Sequence, residues 1–465
     1  MSNIKFGTDG WRAVVGKDFT KENVHVCINA IGKYIADNFG FDKLVIIGYD
    51  PRNMADVFSK QSAKILAELG FRVLYSDKII PTPVLAYNAK LLNACAIMFT
   101  ASHNPPEYLG IKFIPDYAGP ATTEITDELM KNLGEKVASN EQGAVELYDF
   151  QPAYDKHIES LINFDKIKEL EGRTNIIYNG FYSAGIGYFD ELLNCHRIKF
   201  SSMNMLHDPN FGGGMPDPKP AYMQDLIDRV KHASNTVGLA NDGDADRFGV
   251  INENGEYVSP NEIIAILLMH LIKNKEYKGA LVKTVGASLL LNKVAEKLGV
   301  EVIETAVGFK HVGEAMRKHN PVIGGEESGG LSIQGHIPEK DGLLANFLVL
   351  EAMAYEKKSL VELQNSLHKF VGCKFFNDRI DKTLEKIEFV KPILESFKSI
   401  KQIGDYKVKK TELLDGVKLY LNDDTSWILV RPSGTEPLLR IYFESDRLEK
   451  IKQLETAICE SEFLP

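Results

Sequence analysis

The stretch Ala94-Cys95-Ala96-Ile97-Met98-Phe99-Thr100-Ala101-Ser102-His103-Asn104-Pro105-Pro106 decides how this chain is read. Residues 94–99 form an unbroken apolar run of strand length, the pattern of a strand buried on both faces. Asn-Pro-Pro then ends it, because neither proline has an amide proton to continue a ladder. Ser102 is thereby placed on a stiff loop at the carboxyl end of a strand, where open α/β sheets bind their ligands.

Outward from this loop the pattern repeats. Apolar runs at 44–49, 73–75, 175–178, 236–240, 280–285, 302–305 and 321–324 alternate with amphipathic stretches at 23–39, 54–70, 261–275 and 288–298. Such alternation marks α/β units. In three successive segments a strand, helix and strand lead to a further strand that enters a polar loop, at Ser102, at Asp242 and at Glu326. The residues themselves do not repeat, so the inference is one of architecture. Linker-like stretches near 142–151, 252–255 and 371–377 give units at 1–148, 149–253, 254–371 and 372–465. The last has short strands with helical segments between them and reads as a smaller α+β domain.

A chain of 465 residues can bury a large core in several domains. The net charge of −10 argues against non-specific nucleic-acid binding, although a local cluster of Arg and Lys could still hold an anion. The cysteines, Cys27, Cys95, Cys195, Cys373 and Cys459, are odd in number and widely spaced, which suggests neither a disulfide framework nor a zinc site. No apolar run approaches the 18 residues of a membrane span and the first residues show no apolar signal region, so a cytoplasmic location is the simplest expectation.

Asp242-Gly243-Asp244-Ala245-Asp246-Arg247 places carboxylates at alternate positions after an apolar run. Hard oxygen donors at that density suit Mg²⁺ or Ca²⁺ rather than zinc. An EF-hand is the rival reading, with Glu253 at the twelfth position, but Arg247 stands where that loop wants glycine and the flanks read as strands. A solvated acidic turn is the bland one, and three aspartates beside a buried strand would repel one another without a cation. Gly324-Gly325-Glu326-Glu327-Ser328-Gly329-Gly330 offers an acceptor, Glu326, and a hydroxyl, Ser328, that share one side of an extended segment and could grip neighbouring sugar hydroxyls. It could equally be an exposed turn. Arg431-Pro432-Ser433-Gly434-Thr435-Glu436-Pro437 combines a cation, hydroxyls and a glycine in the manner of a phosphate nest. Phe6-Gly7-Thr8-Asp9-Gly10-Trp11-Arg12 could be a turn, Gly110-Ile111-Lys112-Phe113 a strand with a snorkelling lysine, His103 a loop hydrogen-bonder, and the run from Gly335 to Gly342 around His336 a solvated loop.

Taken in order, these motifs resemble the α-D-phosphohexomutase family along nearly the whole chain. The resemblance implies three similar α/β domains and a C-terminal domain of the TATA-binding-protein-like type around one cleft. It implies that Ser102 is the phosphoserine, that Ser102, Asp242, Asp244 and Asp246 hold Mg²⁺, and that Arg12 and Lys112 act at the transferred phosphoryl. It places Arg247, Lys310, Glu326, Ser328 and His336 at the substrate and Arg431, Ser433, Gly434 and Thr435 at its distal phosphate. Lys112 becomes the candidate for proton transfer, which requires a cationic surrounding to lower its pKa.

The implied reaction interconverts hexose 1-phosphate and hexose 6-phosphate through phospho-Ser102, with glucose 1,6-bisphosphate as activator and small sugar phosphates as partners. Glu304 to Lys310 and the GEESGG–HIPEKDGL pairing look like phosphoglucomutases, with mannose phosphates as a second pair. Glucosamine-type members usually carry Gln in the middle of the sugar motif and His after its last glycine, where this chain has Glu327 and Gly330. A phosphoglucosamine mutase is the alternative. A catalytically silent sugar-phosphate binder would be expected to lack Ser102 or an aspartate, and a phosphoserine phosphatase would need no second phosphate loop.

Overall fold

The computed structural model describes residues 4–7, 10–137, 141–432 and 438–460. Four β-sheets organise them. The first runs Trp11–Val14, Tyr108–Ile114, Cys95–Phe99, Val45–Tyr49, Val73–Ser76, Val145–Tyr148, with the last four strands parallel. The second runs Tyr257–Val258, Phe248–Ile251, Thr236–Asn241, Asn175–Asn179, Ser201–Met203. The third runs Gly330–Ile333, Ile323–Glu326, Leu281–Thr284, Val302–Thr305.

One arrangement is common to these three sheets. Each contains, side by side, an antiparallel strand, a central parallel strand and two further parallel strands. The loop that turns from the central strand into its antiparallel neighbour carries Ser102 in the first sheet, the aspartates in the second and Ser328 in the third. The three polar loops thus occupy one topological position, which the repetition in sequence anticipated. Central strands such as Cys95–Phe99 are buried along their whole length, as two-sided helix cover requires.

The fourth sheet is antiparallel throughout, from Phe376–Thr383 through Leu438–Ser445, Trp427–Pro432, Val417–Leu421 and Tyr406–Glu412 to Gln402–Ile403. Helices Val390–Ser399 and Leu448–Cys459 accompany it, giving the expected α+β domain. The helix Gly342–Glu356 is apolar almost all round and buried from Gly342 to Ala354, packing on Phe164–Lys168, Pro260–Lys275 and strand Phe248–Ile251. It thereby joins the second and third units. No helix among the described residues is long and apolar enough to cross a membrane.

Two linker-like stretches turn out to be structured. Residues 142–151 include the edge strand Val145–Tyr148, and 252–255 form the turn between two strands of the second sheet, so that sheet extends past residue 253. Glu253, the would-be twelfth ligand of an EF-hand, instead accepts the amides of Leu360 and Val361 at 2.8 and 3.0 Å and caps helix Leu360–Val371.

Candidate active site

Ser102 lies in the left-handed region at φ 51° and is almost fully buried. A non-glycine residue holds that conformation only where its surroundings enforce it. Here the Arg52 guanidinium does so, donating to the carbonyls of Ser102, Asn104, Pro105 and Tyr108 at 2.5, 2.7, 2.8 and 3.0 Å. Asp50 pairs with Arg52 at 3.2 Å and accepts from Thr100 Oγ1 at 2.6 Å, while Thr100 Oγ1 accepts the Ser102 amide at 2.7 Å. Burial pushes the Asp50 carboxyl up to about 7 against the pull of Arg52 and Thr100. Neither Asp50 nor Arg52 belongs to a motif read from the sequence. The only signal was an Asp-Pro-Arg turn after the strand beside the Ser102 strand.

Ser102 Oγ donates to Asp242 Oδ2 at 2.8 Å, and the Arg247 amide donates to Asp242 Oδ1 at 3.0 Å. Asp244 Oδ2 accepts from Thr82 Oγ1 at 2.6 Å and from Lys112 Nζ at 2.7 Å. Asp246 Oδ2 takes Lys112 Nζ at 2.8 Å and Lys340 Nζ at 3.0 Å. All three carboxylates are buried, with ligand atoms within 4.8 Å of one another. Burial and the other two aspartates push Asp242 up; Asp244 and Asp246 are also raised by burial, but Lys112 chiefly draws each below the usual carboxylate range.

The loop does not stand as three uncompensated charges, because Lys112, Lys340 and Arg247 surround it. Lys112 is neither a snorkelling lysine nor a base in a cationic setting, since its Nζ lies between two carboxylates. The remaining oxygens, Asp244 Oδ1 and Asp246 Oδ1, are buried without a hydrogen-bond partner. Two orphaned hard oxygens beside Asp242 and Ser102 fit a small divalent cation such as Mg²⁺.

A cleft of about 880 Å³ opens next to this centre, with walls from all four units. His103 and Arg247 line it, together with Glu326, Glu327 and Ser328 and with Arg431 and Arg440. His103 Nδ1 is 3.4 Å from Ser102 Oγ, and burial, with Arg247 and Arg12 close by, holds its imidazole neutral. Ser328 Oγ donates to Glu326 Oε1 at 2.5 Å, and burial raises the Glu326 carboxyl. The segment is a tight hairpin closed at Glu326 and Gly330, not an extended run, yet the two side chains still meet. Arg12 donates to Asn104 Oδ1 at 2.6 Å.

Arg431 is held by Asp415 at 2.8 Å, a carboxylate that also accepts the Val307 amide at 2.9 Å. Directly across the ladder stands Arg440, whose buried Nε has no hydrogen-bond partner. Asp415 balances Arg431, so the second guanidinium, with its partnerless Nε, leaves cationic capacity on the cleft wall for an anion. Ser433, Gly434 and Thr435 lie outside the described residues, as do Thr8 and Asp9.

Two expected substrate residues are placed elsewhere. His336 is buried with both ring nitrogens engaged, Nδ1 with His157 at 2.9 Å and Nε2 with Asp341 at 2.9 Å, and does not line the cleft. Lys310, one residue beyond the cleft-lining Phe309, reaches Thr123 Oγ1 at 3.1 Å.

Four profiles of phosphoglucomutase/phosphomannomutase match the chain: alpha/beta/alpha domain I at 3–139, domain II at 152–255, domain III at 259–370 and the C-terminal domain at 395–461. The chain is 31% identical over 455 residues to the "Probable phosphoglucosamine mutase" of Methanosphaera stadtmanae, covering 97% of this chain and 96% of the relative. It is 29% identical over 454 residues to the "Phosphoglucomutase/phosphomannomutase" of Thermococcus kodakarensis, covering 96% of each. The crystal structure of a "putative phosphomannomutase" from Thermus thermophilus superimposes with a TM-score of 0.87 at 29% identity over 99% of both chains.

Proposed function

The chain belongs to the phosphoglucomutase/phosphomannomutase family of phosphohexomutases, and from that premise we propose that it interconverts hexose 1-phosphate and hexose 6-phosphate by way of phospho-Ser102 and a hexose 1,6-bisphosphate. One observation carries the reading: a single cleft joins a constrained serine on an aspartate cluster to a separate pair of opposed arginines. A phosphatase needs one phosphate site, whereas a mutase must hold a phosphate at each end of the sugar.

In this reading Ser102 Oγ carries the phosphoryl group, and the 1,6-bisphosphate of glucose primes it. Arg431 and Arg440 grip the phosphate already on the sugar. The free sugar hydroxyl attacks phospho-Ser102 and passes its proton to water in the cleft, while the Ser102 oxygen departs as its P–O bond breaks. The bisphosphate turns over and returns its other phosphate to Ser102. Lys112, Lys340 and Arg247 hold the aspartates in place before the phosphate arrives, so little reorganisation remains for the transfer itself. Mg²⁺ on Asp242, Asp244, Asp246 and the Ser102 oxygen would withdraw charge from the phosphoryl group.

Glucose phosphates are the preferred pair in this proposal and mannose phosphates the second. Glu326 and Ser328 would read O3 and O4, which glucose and mannose present identically. The names of several relatives, that of Methanosphaera stadtmanae among them, favour glucosamine phosphates instead. Against that stands the packing at Gly330: a Cβ there would come within 2.4 Å of Lys340 Cδ, so the histidine of glucosamine-type members would displace a lysine bound to Asp246. The test is incubation with glucose 1,6-bisphosphate, peptide mass analysis and coupled assays over the phosphates of glucose, mannose and glucosamine. The expected result is one phosphoryl group on the Ser102 peptide and highest turnover with glucose. Preference for glucosamine would overturn the sugar assignment, and an unmodified Ser102 the covalent route.

A further inference from the structure

The segment Pro216-Asp217-Pro218-Lys219-Pro220 lies outside every motif considered above. Its prolines fix φ at alternate positions, so the segment is stiff, and only Pro220 enters a helix, the short 3-10 turn Pro220–Tyr222. It is pinned to the aspartate loop and to the strand that follows it. The Gly243 amide donates to the Pro216 carbonyl at 3.2 Å, and Pro218 fills the space where a Cβ on Gly249 would stand 2.6 Å away. Asp217 is buried and accepts from Lys219 Nζ at 2.6 Å. The Lys219 side chain remains 51% exposed and lines the cleft together with His103, Arg247 and Glu326.

The charge balance gives this lysine its interest. Lys112 and Lys340 are bound to Asp244 and Asp246. Arg247 is buried, faces Asp242 and Asp246, and keeps an unpartnered Nε. Lys219 is the only lysine lining the cleft among the described residues, and Asp217 is its ion-pair partner. It stands on the Ser102 side: it lines the cleft with His103, the residue after Ser102, and its segment is tied to Gly243, where a Cβ would meet the Ser102 carbonyl at 2.4 Å. A rigid backbone with a half-exposed amine gives a cation that can follow a moving phosphate while its origin stays fixed.

We propose that Lys219 is a binding residue for the phosphate of the sugar bisphosphate at the Ser102 side of the cleft, positioned by Asp217; this rests on the mutase reading. A bisphosphate that must turn over without escaping carries two dianions; Lys112 and Lys340 are buried against the aspartates, whereas Lys219, although paired with Asp217, has half its side chain exposed in the cleft. Lys219 adds a charge that binds the intermediate and slows its loss.

The test compares wild type, Lys219→Met and Lys219→Arg by the glucose 1,6-bisphosphate concentration that gives half-maximal mutase rate. Lys219→Met should raise that concentration about tenfold, the loss of one charge-assisted contact at a half-exposed site. The maximal rate should fall by a smaller factor. Lys219→Arg should recover most of the difference, and higher ionic strength should narrow it because the site is open to solvent. A Lys219→Met requirement equal to that of wild type overturns the proposal, as does a Lys219→Arg variant no better than Lys219→Met. A wild type that neither turns over a hexose phosphate nor binds the bisphosphate in calorimetry overturns the mutase reading itself, and the wild-type control alone identifies that case.

Discussion

Ser102 Oγ donates a 2.8 Å hydrogen bond to Asp242 Oδ2, joining the polar loop of the first sheet to that of the second. The serine's left-handed backbone aims this bond, and Arg52 enforces that backbone through four carbonyls. Two loops that begin at equivalent points of two similar sheets thus meet at one oxygen.

Replacing that oxygen tests its role. Ser102→Ala should lower mutase turnover by about a thousandfold or more, because the phosphoryl carrier is gone. Binding of glucose 1-phosphate should persist, since Arg431, Arg440, Glu326 and Ser328 are untouched. Calorimetry and a coupled assay on the same preparation separate the two, and near-normal turnover would refute the covalent route.

Asp244→Asn should raise the Mg²⁺ concentration needed for half-maximal rate about tenfold or more, because one formal charge leaves a hard-ion site. Asp244 Oδ1 is one of the two oxygens of the aspartate loop that are buried without a hydrogen-bond partner, and the oxygen an asparagine keeps can still accept from Thr82 and Lys112. EDTA should inactivate the wild type and Mg²⁺ restore it. Activity that survives complete metal removal would give the aspartates another task.

Much of this centre was legible in the sequence. Ser102, Asp242, Asp244, Asp246, Glu326 and Ser328 stand in short motifs after apolar runs, where composition and strand length locate a loop at a strand end. The residues missed are those whose role depends on distant chain. Lys340 reaches Asp246 from 94 positions further on, and Arg52 clamps a loop 50 residues away. The Asp-Pro-Arg turn marks Arg52 only as a residue after a strand, and nothing local distinguishes Lys340 from a surface cation. His336 differs in the opposite sense: its polar neighbours read as a solvated loop and only the resemblance set it at the substrate, while His157 and Asp341 engage both ring nitrogens in the interior.

Arg52→Ala should destabilise the protein by about 3–5 kcal/mol, the cost of leaving a buried partner charge and several carbonyls unpaired. Arg52 is fully buried in its pair with Asp50 and also lies 4.9 Å from the Phe211 ring centroid. Urea unfolding measures the loss. Arg52→Lys should recover only part of it, because an ammonium cannot reach four carbonyls in a planar fork.

The pair also predicts a pH dependence. Burial raises Asp50 to about 7 in the folded protein, against about 4 for an exposed carboxyl. Below about pH 4 the group is protonated in both states and its contribution to stability is fully present. Between about 4 and 7 the folded state holds more protons, so stability falls as pH rises through that window. Asp50→Asn removes the titration. The stability of wild type relative to this variant should therefore decline from about pH 4 to about 7 and then level off in urea unfolding. A rising difference would mean that Arg52 and Thr100 outweigh burial.

Sugar recognition gives the sharpest discrimination. Glu326 is buried at 5% exposure, and its Oε1 already accepts from Ser328 at 2.5 Å, so its remaining capacity faces the cleft. Equatorial O3 and O4 would be bound together by such a pair, and an axial O4 would leave one buried polar group unpaired. A site built to pair a hydroxyl rejects a sugar that misplaces it by about a thousandfold or more. Galactose 1-phosphate should therefore show a kcat/KM lower than that of glucose 1-phosphate by that factor, while mannose 1-phosphate, altered only at C2, should lose much less. Glu326→Gln should lower kcat/KM for glucose more than for galactose, because only the correctly placed hydroxyl gains from the carboxylate. A galactose-to-glucose ratio near one in wild type, or unchanged by Glu326→Gln, would show that this pair does not read O3 and O4.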